Sequence, residues 1–357
     1  MVDIEVQDEA VPLNLKTPGL FVHGALSYPN SISKEMPILV MIHGFPESSE
    51  MWKYVYLPTG FSLPQFCNNK RDQQVLDRFP PGIPVYVPDI PGYGRSTLKV
   101  TKDAYSKREV GNVILDALKQ VLGDYSVILS EGIRQKIVLV GHDRGARISH
   151  RLAVDNSHPH FEIIGTALLD IIPTLVQFRA FANPLQATIY YHWSFLAAPK
   201  PIPEDTIDAM GGENWIEKTF GLWMYMSEAR KRLEANVPIY KKYFNNRATV
   251  EAVCADYRGG ATMDFTEQVK DQDEGRKLKV PTLVIYAEDC IGSRFDFWDV
   301  WKEWVEDEKL LQLRSIGNGV VHFLPEEDPD TVTESILGWL RDVLKIRVPE
   351  CACLKSQ

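Results

Sequence analysis

The stretch Val138-Leu-Val-Gly-His-Asp143-Arg-Gly-Ala-Arg147 decides how this chain folds. Ile137 to Val140 is a short apolar, β-branched run, which predicts a buried strand. From Ile148 to Val154 the pattern turns helical, with apolar Ile148, Leu152 and Ala153. Between the two the chain must reverse in very few residues. Gly141 and Gly145 remove side chains where strand and helix come closest. The residue between them is pushed out at the helix start, where free N–H groups and the positive dipole end favour an anion. This is the shape of a nucleophile elbow, with a carboxylate at its centre in place of serine. A carboxylate there moves the expected chemistry from ester cleavage to displacement at a saturated carbon. Asp is also a favoured helix N-cap. The motif by itself therefore leaves Asp143 divided between nucleophile and cap.

The 357 residues are 45% hydrophobic and 24% charged, an ordinary globular composition with length for a large core. One α/β domain with an insertion, or two smaller domains, would fit. The net charge is −9 and no basic cluster marks a nucleic-acid partner. Met-Val-Asp-Ile-Glu-Val at the N-terminus is not a secretory signal, and no apolar run reaches membrane-spanning length. Five scattered cysteines, Cys67, Cys254, Cys290, Cys351 and Cys353, read as reduced thiols of a cytoplasmic protein. Cys351 and Cys353 lie in a polar tail that reads as a frayed terminus more than a metal site. No metal and no cofactor is expected. The expected partners are a small-molecule substrate and water, with no nucleic acid and no membrane, in a homodimer.

Strand-like runs recur at Pro37–Ile42, Pro84–Pro88, Lys136–Val140, Ile163–Leu169, Pro281–Tyr286 and Leu310–Ile316, with helical stretches between them. That rhythm predicts an α/β fold with a mostly parallel sheet covered on both faces and its site at the carboxyl ends of the strands. Each run ends in a loop rich in reactive residues, such as His43-Gly-Phe-Pro-Glu47 and Asp89-Ile-Pro-Gly-Tyr-Gly94. Residues 173–275 break the rhythm. They are rich in aromatics and helix formers and predict an inserted helical cap that excludes water from the site. The expected organisation is a core over 1–172 and 276–346, a cap over 173–275 and a tail over 347–357. Pro58–Pro81 and Gly123–Arg134 read as insertions between elements.

An orienting acid and then a base should follow the nucleophile in chain order after such an elbow. His322 follows the last strand-like run and is the candidate base. Asp170 and Asp289 each follow a strand-like run, and spacing alone does not choose between them as the orienting acid. His43 and His142 flank oxyanion-type loops and read as structural. His23, His150, His158 and His160 have no supporting context.

Six words then occur in order along nearly the whole chain: His43-Gly-Phe-Pro, Gly141-His-Asp-Arg-Gly-Ala-Arg147, Leu169-Asp-Ile-Ile-Pro-Thr174, His192-Trp193 with Phe195-Leu196, Cys254-Ala-Asp-Tyr-Arg258 and His322-Phe-Leu-Pro-Glu326. In these the chain resembles the haloacetate (fluoroacetate) dehalogenase group of the α/β-hydrolase superfamily, which is related to soluble epoxide hydrolases. The resemblance implies an α/β-hydrolase fold, Asp143 as nucleophile, His322 as base and Asp170 as the orienting acid. It further implies Arg144 and Arg147 as a clamp on a substrate carboxylate. His192, Trp193 and Tyr257 would be donors to a departing halide, and the backbone N–H groups of Phe45 and Arg144 an oxyanion hole.

Side-chain chemistry agrees with these roles. Two guanidiniums three residues apart at a helix start can face one carboxylate. An arginine directly after the nucleophile is badly placed for a surface salt bridge. Imidazole, indole N–H and phenol O–H are all donors that could stabilise a forming anion, although an aromatic-rich cap is more often plain core. Two rivals remain open. Epoxide hydrolysis would use the same three residues with Tyr190, Tyr191, Tyr225 or Tyr257 as acid. A binding or sensor protein would keep the scaffold without turnover. The two insertions, and Asn318-Gly-Val-Val before His322, depart from the family's pattern and put the substrate in doubt more than the fold.

Overall fold

The computed structural model describes residues 9–12, 19–33, 36–54, 79–80, 82–124, 133–224 and 230–348. Most of both insertions lies outside these residues, as do Cys67, Tyr225, Cys351 and Cys353.

The strands are β1 (Glu9–Pro12), β2 (Leu20–Ser27), β3 (Ile38–Ile42), β4 (Val85–Pro88), β5 (Thr97–Leu98), β6 (Gln135–His142), β7 (Phe161–Leu169), β8 (Thr282–Ala287) and β9 (Leu311–Ile316). They form one sheet in the order β1-β2-β4-β3-β6-β7-β8-β9, with β5 paired to β2. From β4 to β9 every pairing is parallel, and β2 is antiparallel to its neighbours. All of β3 and Ile137–His142 of β6 are buried, as strands covered on both faces must be. Helix α1 (Lys107–Asp124) packs on α2 (Arg144–Asp155), and α2 packs on β6 and β7. The six strand-like runs all correspond to strands. The antiparallel edge was not anticipated. In β2, His23 and Gly24 interrupt the apolar run, and Gly24 is there because a Cβ would stand 2.7 Å from the Tyr86 ring.

Between β7 and β8 the described residues hold helices only. They are α3 (Thr174–Ala180), α4 (Pro184–Ile189), α5 (Tyr191–Leu196), α6 (Ile202–Met210), α7 (Gly212–Met224), α8 (Arg230–Phe244), α9 (Arg247–Gly259) and α10 (Phe265–Glu274). A π-turn over Gly260–Asp264 joins α9 to α10. After β8 come α11 (Phe297–Trp301), α12 (Leu324–Glu327) and α13 (Pro329–Asp342). No helix among the described residues is long and apolar enough to cross a membrane.

The reversal from β6 into α2 is as tight as its glycines imply. A Cβ on Gly145 would lie 2.1 Å from the Ile42 carbonyl oxygen, and one on Gly141 2.4 Å from the Gly145 oxygen. Asp143 sits at φ 44° and ψ −110°, a conformation that L residues rarely adopt. Such strain is held only where its surroundings over-determine it. Gly145→Ala should therefore cost at least about 1–3 kcal/mol, because the obstacle is backbone that cannot rotate away. Urea unfolding of the variant beside the parent checks this.

Candidate active site

Asp143 makes no side-chain hydrogen bond to the start of α2, so its carboxylate is not used as a cap. Its Oδ1 instead accepts the Phe45 N–H at 3.1 Å. The site is buried, which opposes ionisation. His322, Arg144, Arg147 and His142 outweigh that and hold the carboxyl well below the usual carboxylate range.

Asp170, at the end of β7, has φ 54° and is 3% exposed. Its N–H donates to the Ile285 carbonyl at 2.7 Å, and its Oδ1 accepts the Ala287 N–H at 2.8 Å. Its Oδ2 lies 2.6 Å from His322 Nδ1. Asp289 is exposed, on the turn after β8. The geometry therefore pairs His322 with Asp170. An Nδ1–H bond to Asp170 leaves the lone pair of His322 on Nε2.

Two carboxylates that the sequence did not single out hold the surrounding loops. Glu327 accepts the N–H groups of Val321 at 2.8 Å, His322 at 3.1 Å and Phe323 at 2.8 Å. Glu47 accepts the Gly44 N–H at 3.1 Å and faces His142 Nδ1 at 2.9 Å. The other nitrogen of His142 lies 2.8 Å from the His322 carbonyl oxygen. Burial works against a charged His142, but the Glu47 carboxylate prevails and pushes its pKa up to about 9. His43 accepts the Ile90 N–H at Nε2 and donates from Nδ1 to the Gly44 carbonyl, so burial leaves it neutral with its pKa lowered. The only advance sign of these partners was position, since Glu47 and Glu327 lie in or beside loops that follow strands.

The two arginines have different surroundings. Arg144 is 1% exposed. Its Nε donates to Asp256 Oδ2 at 2.6 Å and its Nη2 to the Asp256 carbonyl at 3.0 Å. The Asp256 carboxylate also takes the Lys107 ammonium and the Tyr93 hydroxyl. Arg147 donates from Nη1 to the Ile172 carbonyl at 2.9 Å and to Thr174 Oγ1 at 3.2 Å. Its Nε is buried without a hydrogen-bond partner, and burial lowers its pKa to about 10. Trp193 lies under both guanidiniums, 4.4 Å from that of Arg147 and 5.5 Å from that of Arg144.

A cavity of about 290 Å³ opens over the elbow, lined among others by Asp143, Arg147, Asp170, His192, Trp193 and His322. Arg144, Tyr257 and Phe45 stand behind that wall. The Phe45 ring stacks on His192 at 6.1 Å and meets Tyr257 edge-on at 5.4 Å. Burial lowers the pKa of His192 to about 3 and raises that of Tyr257 well above the usual phenol value. At neutral pH both rings are uncharged and each carries a donor hydrogen.

The sequence profile of the alpha/beta hydrolase family matches residues 39–334, and the chain belongs to that family. A fluoroacetate dehalogenase from a Burkholderia species is 28% identical over 308 residues, 86% of this chain and 88% of that protein. Mouse epoxide hydrolase 4 is 22% identical over 92% of this chain and 79% of its own length. Among solved structures, one assigned as an alpha/beta hydrolase, from Nostoc sp PCC 7120, aligns with TM-score 0.70 and 28% identity over 95% of this chain and 99% of its own. A Pseudomonas aeruginosa protein assigned as an epoxide hydrolase, in a mutant form with bound MFA, aligns with TM-score 0.68 and 26% identity over 94% and 97%. The chain is accordingly an enzyme, a hydrolase of the alpha/beta family.

The His142–Glu47 pair has a measurable pH signature. A histidine whose folded pKa is raised adds stability that is fully present below its unfolded value near 6.5. That stability is lost as pH rises through about 9. The pair should contribute at most about 3 kcal/mol. Urea unfolding at pH 6 and pH 9.5 should show a larger loss for the parent than for Glu47→Gln. Equal losses would rule the pair out as the source.

Proposed function

We propose that this hydrolase cleaves the carbon–halogen bond of 2-halocarboxylates through an ester on Asp143. One observation carries the reading: a buried, ionised Asp143 carboxylate whose Oδ1 rests on the Phe45 N–H, beside the Arg147 guanidinium in one cavity. The curated fluoroacetate dehalogenase relative supports it.

In the first step Oδ2 of Asp143 attacks the substrate's C2 from the side opposite the halogen. The carbon–halogen electron pair leaves with the halide. Arg147 holds the substrate carboxylate, with Arg144 behind it. His192 and Trp193 donate to the departing anion, backed by Tyr257. In the second step His322 Nε2 takes a proton from water, and the hydroxide attacks the carboxyl carbon of Asp143. Negative charge then builds on Oδ1, where the Phe45 N–H, and that of Arg144 with it, would hold it. The acyl–oxygen bond breaks, the proton returns from His322 to the alkoxide, the 2-hydroxy acid leaves, and Asp143, left as the acid, gives its proton to water. The reading includes the helical segment over 173–275 as a cap, a homodimer, and a cytoplasmic location supported by the scattered cysteines.

A second reading is epoxide opening by the same three residues. Tyr190 and Tyr191 on the cavity wall, and the epoxide hydrolase relatives, favour it. A parallel screen separates the two. Halide release from fluoroacetate and chloroacetate is the expected result, and diol from styrene oxide without halide release would overturn it.

His322 has no part in the first step. His322→Gln should therefore release at most one equivalent of halide and accumulate a mass adduct on the peptide containing Asp143. A single turnover of the parent in ¹⁸O water should label the Asp143 carboxylate and not the product, because the oxygen of water enters at the acyl carbon. Label in the product alone would mean direct attack by water.

A further inference from the structure

The cavity is larger than a haloacetate requires. A haloacetate has five heavy atoms, and even at the roughly 30 Å³ that a water molecule occupies in the liquid they would fill about 150 Å³. About half of the 290 Å³ is left over. A π-turn over Glu288–Gly292, after β8, places Cys290 and Ile291 on the cavity wall, and Arg294 follows them there.

Arg294 is half-buried, and none of the described carboxylates pairs with it. Its Nη1 donates to the Tyr190 hydroxyl at 3.1 Å, and the Cys290 thiol lies beside it. Burial pushes the pKa values of both Tyr190 and Cys290 up to about 12, so neither supplies a counter-charge at ordinary pH. Gln177 is 1% exposed and also lines the cavity, with Nε2 lacking a hydrogen-bond partner. A buried donor left unmade costs about 1–3 kcal/mol unless a ligand takes it. Gln177 lies one turn beyond Thr174, which accepts from Arg147. Arg147 lies in the first turn of α2, which follows β6, and Arg294 follows the turn after β8; with β7 between them, β6 and β8 run about 10 Å apart. Beside the His192 and Trp193 donors assigned above to the leaving group, the wall therefore carries two guanidiniums, Arg147 with Gln177 near it and Arg294 with Tyr190.

We propose that the substrate is a short dicarboxylic acid carrying its leaving group beside one carboxylate. Arg147 and Gln177 take that carboxylate, and Arg294 with Tyr190 takes the other. The position of the leaving group rests on the displacement reading above, whereas the second anion site does not. The displacement itself is unchanged, and the product is a 2-hydroxy diacid with halide.

Halide release from 2-bromosuccinate, 2-bromoglutarate and 2-bromoadipate is compared with that from 2-bromobutanoate, 2-bromopentanoate and 2-bromohexanoate. At least one diacid should exceed its methyl-ended counterpart tenfold or more in kcat/KM. Arg294→Gln should reduce that ratio at least tenfold, and Arg294→Lys should keep part of it. Monoacids favoured at every length, or equal losses for diacid and monoacid in Arg294→Gln, would overturn the proposal. Calorimetry with succinate, glutarate and adipate on Asp143→Asn tests the anion site without chemistry. Diacid binding that Arg294→Gln abolishes supports the site, and if no substrate releases halide it does so while the displacement reading falls. Halide release from monoacids with no diacid binding removes the second site and leaves the displacement reading standing.

Discussion

A carboxylate out of contact with bulk water stays charged only if the protein replaces the solvation it has lost. Asp143 is in that position, and much of the surrounding architecture answers to it. The reversal between β6 and α2 forces the residue outward, and the Phe45 N–H takes one oxygen. Two guanidiniums and two imidazoles supply the compensating field. Those side chains need anchoring in turn. Asp256 holds Arg144, Glu47 holds His142, and Asp170 holds His322. Each anchoring carboxylate comes from a different element, so the ionised state of Asp143 is a property of the assembled sheet and of the helices between β7 and β8 together.

The inner parallel strands were legible because burial on both faces writes them as largely apolar runs, and edge strand β9, with Gln312 and Arg314 exposed, because its apolar residues alternate. The antiparallel edge was not, because β2 carries His23 and Gly24 where a central strand would carry aliphatics. The elbow was legible because only glycine fits at Gly141 and Gly145. The choice between Asp170 and Asp289 was not, since both follow adjacent strands and differ in whether the chain turns inward. A left-handed backbone at Asp170, pinned by hydrogen bonds to β8, turns its carboxylate toward His322.

Arg144 and Arg147 read as an equivalent pair in sequence. They differ because Asp256, 112 residues away, claims one of them. No local pattern encodes a partner at that distance. Arg294 was invisible for the same reason. Its meaning comes from having no paired carboxylate among the described residues and from sharing a wall with Asp143.

The union of Arg144, Asp256 and Lys107 also bears on traffic. Swinging α9 away from α2 would strand buried charges from both sides, and removing one partner of such a group typically costs about 3–5 kcal/mol. That flank behaves as a fixed doorpost. By contrast α4 has no buried residue, and Thr188 and Tyr191 both reach solvent while touching the cavity. The cheapest route for reactants in and products out therefore passes along α4 and the start of α5, beside Tyr190 and the Arg294 guanidinium that donates to it.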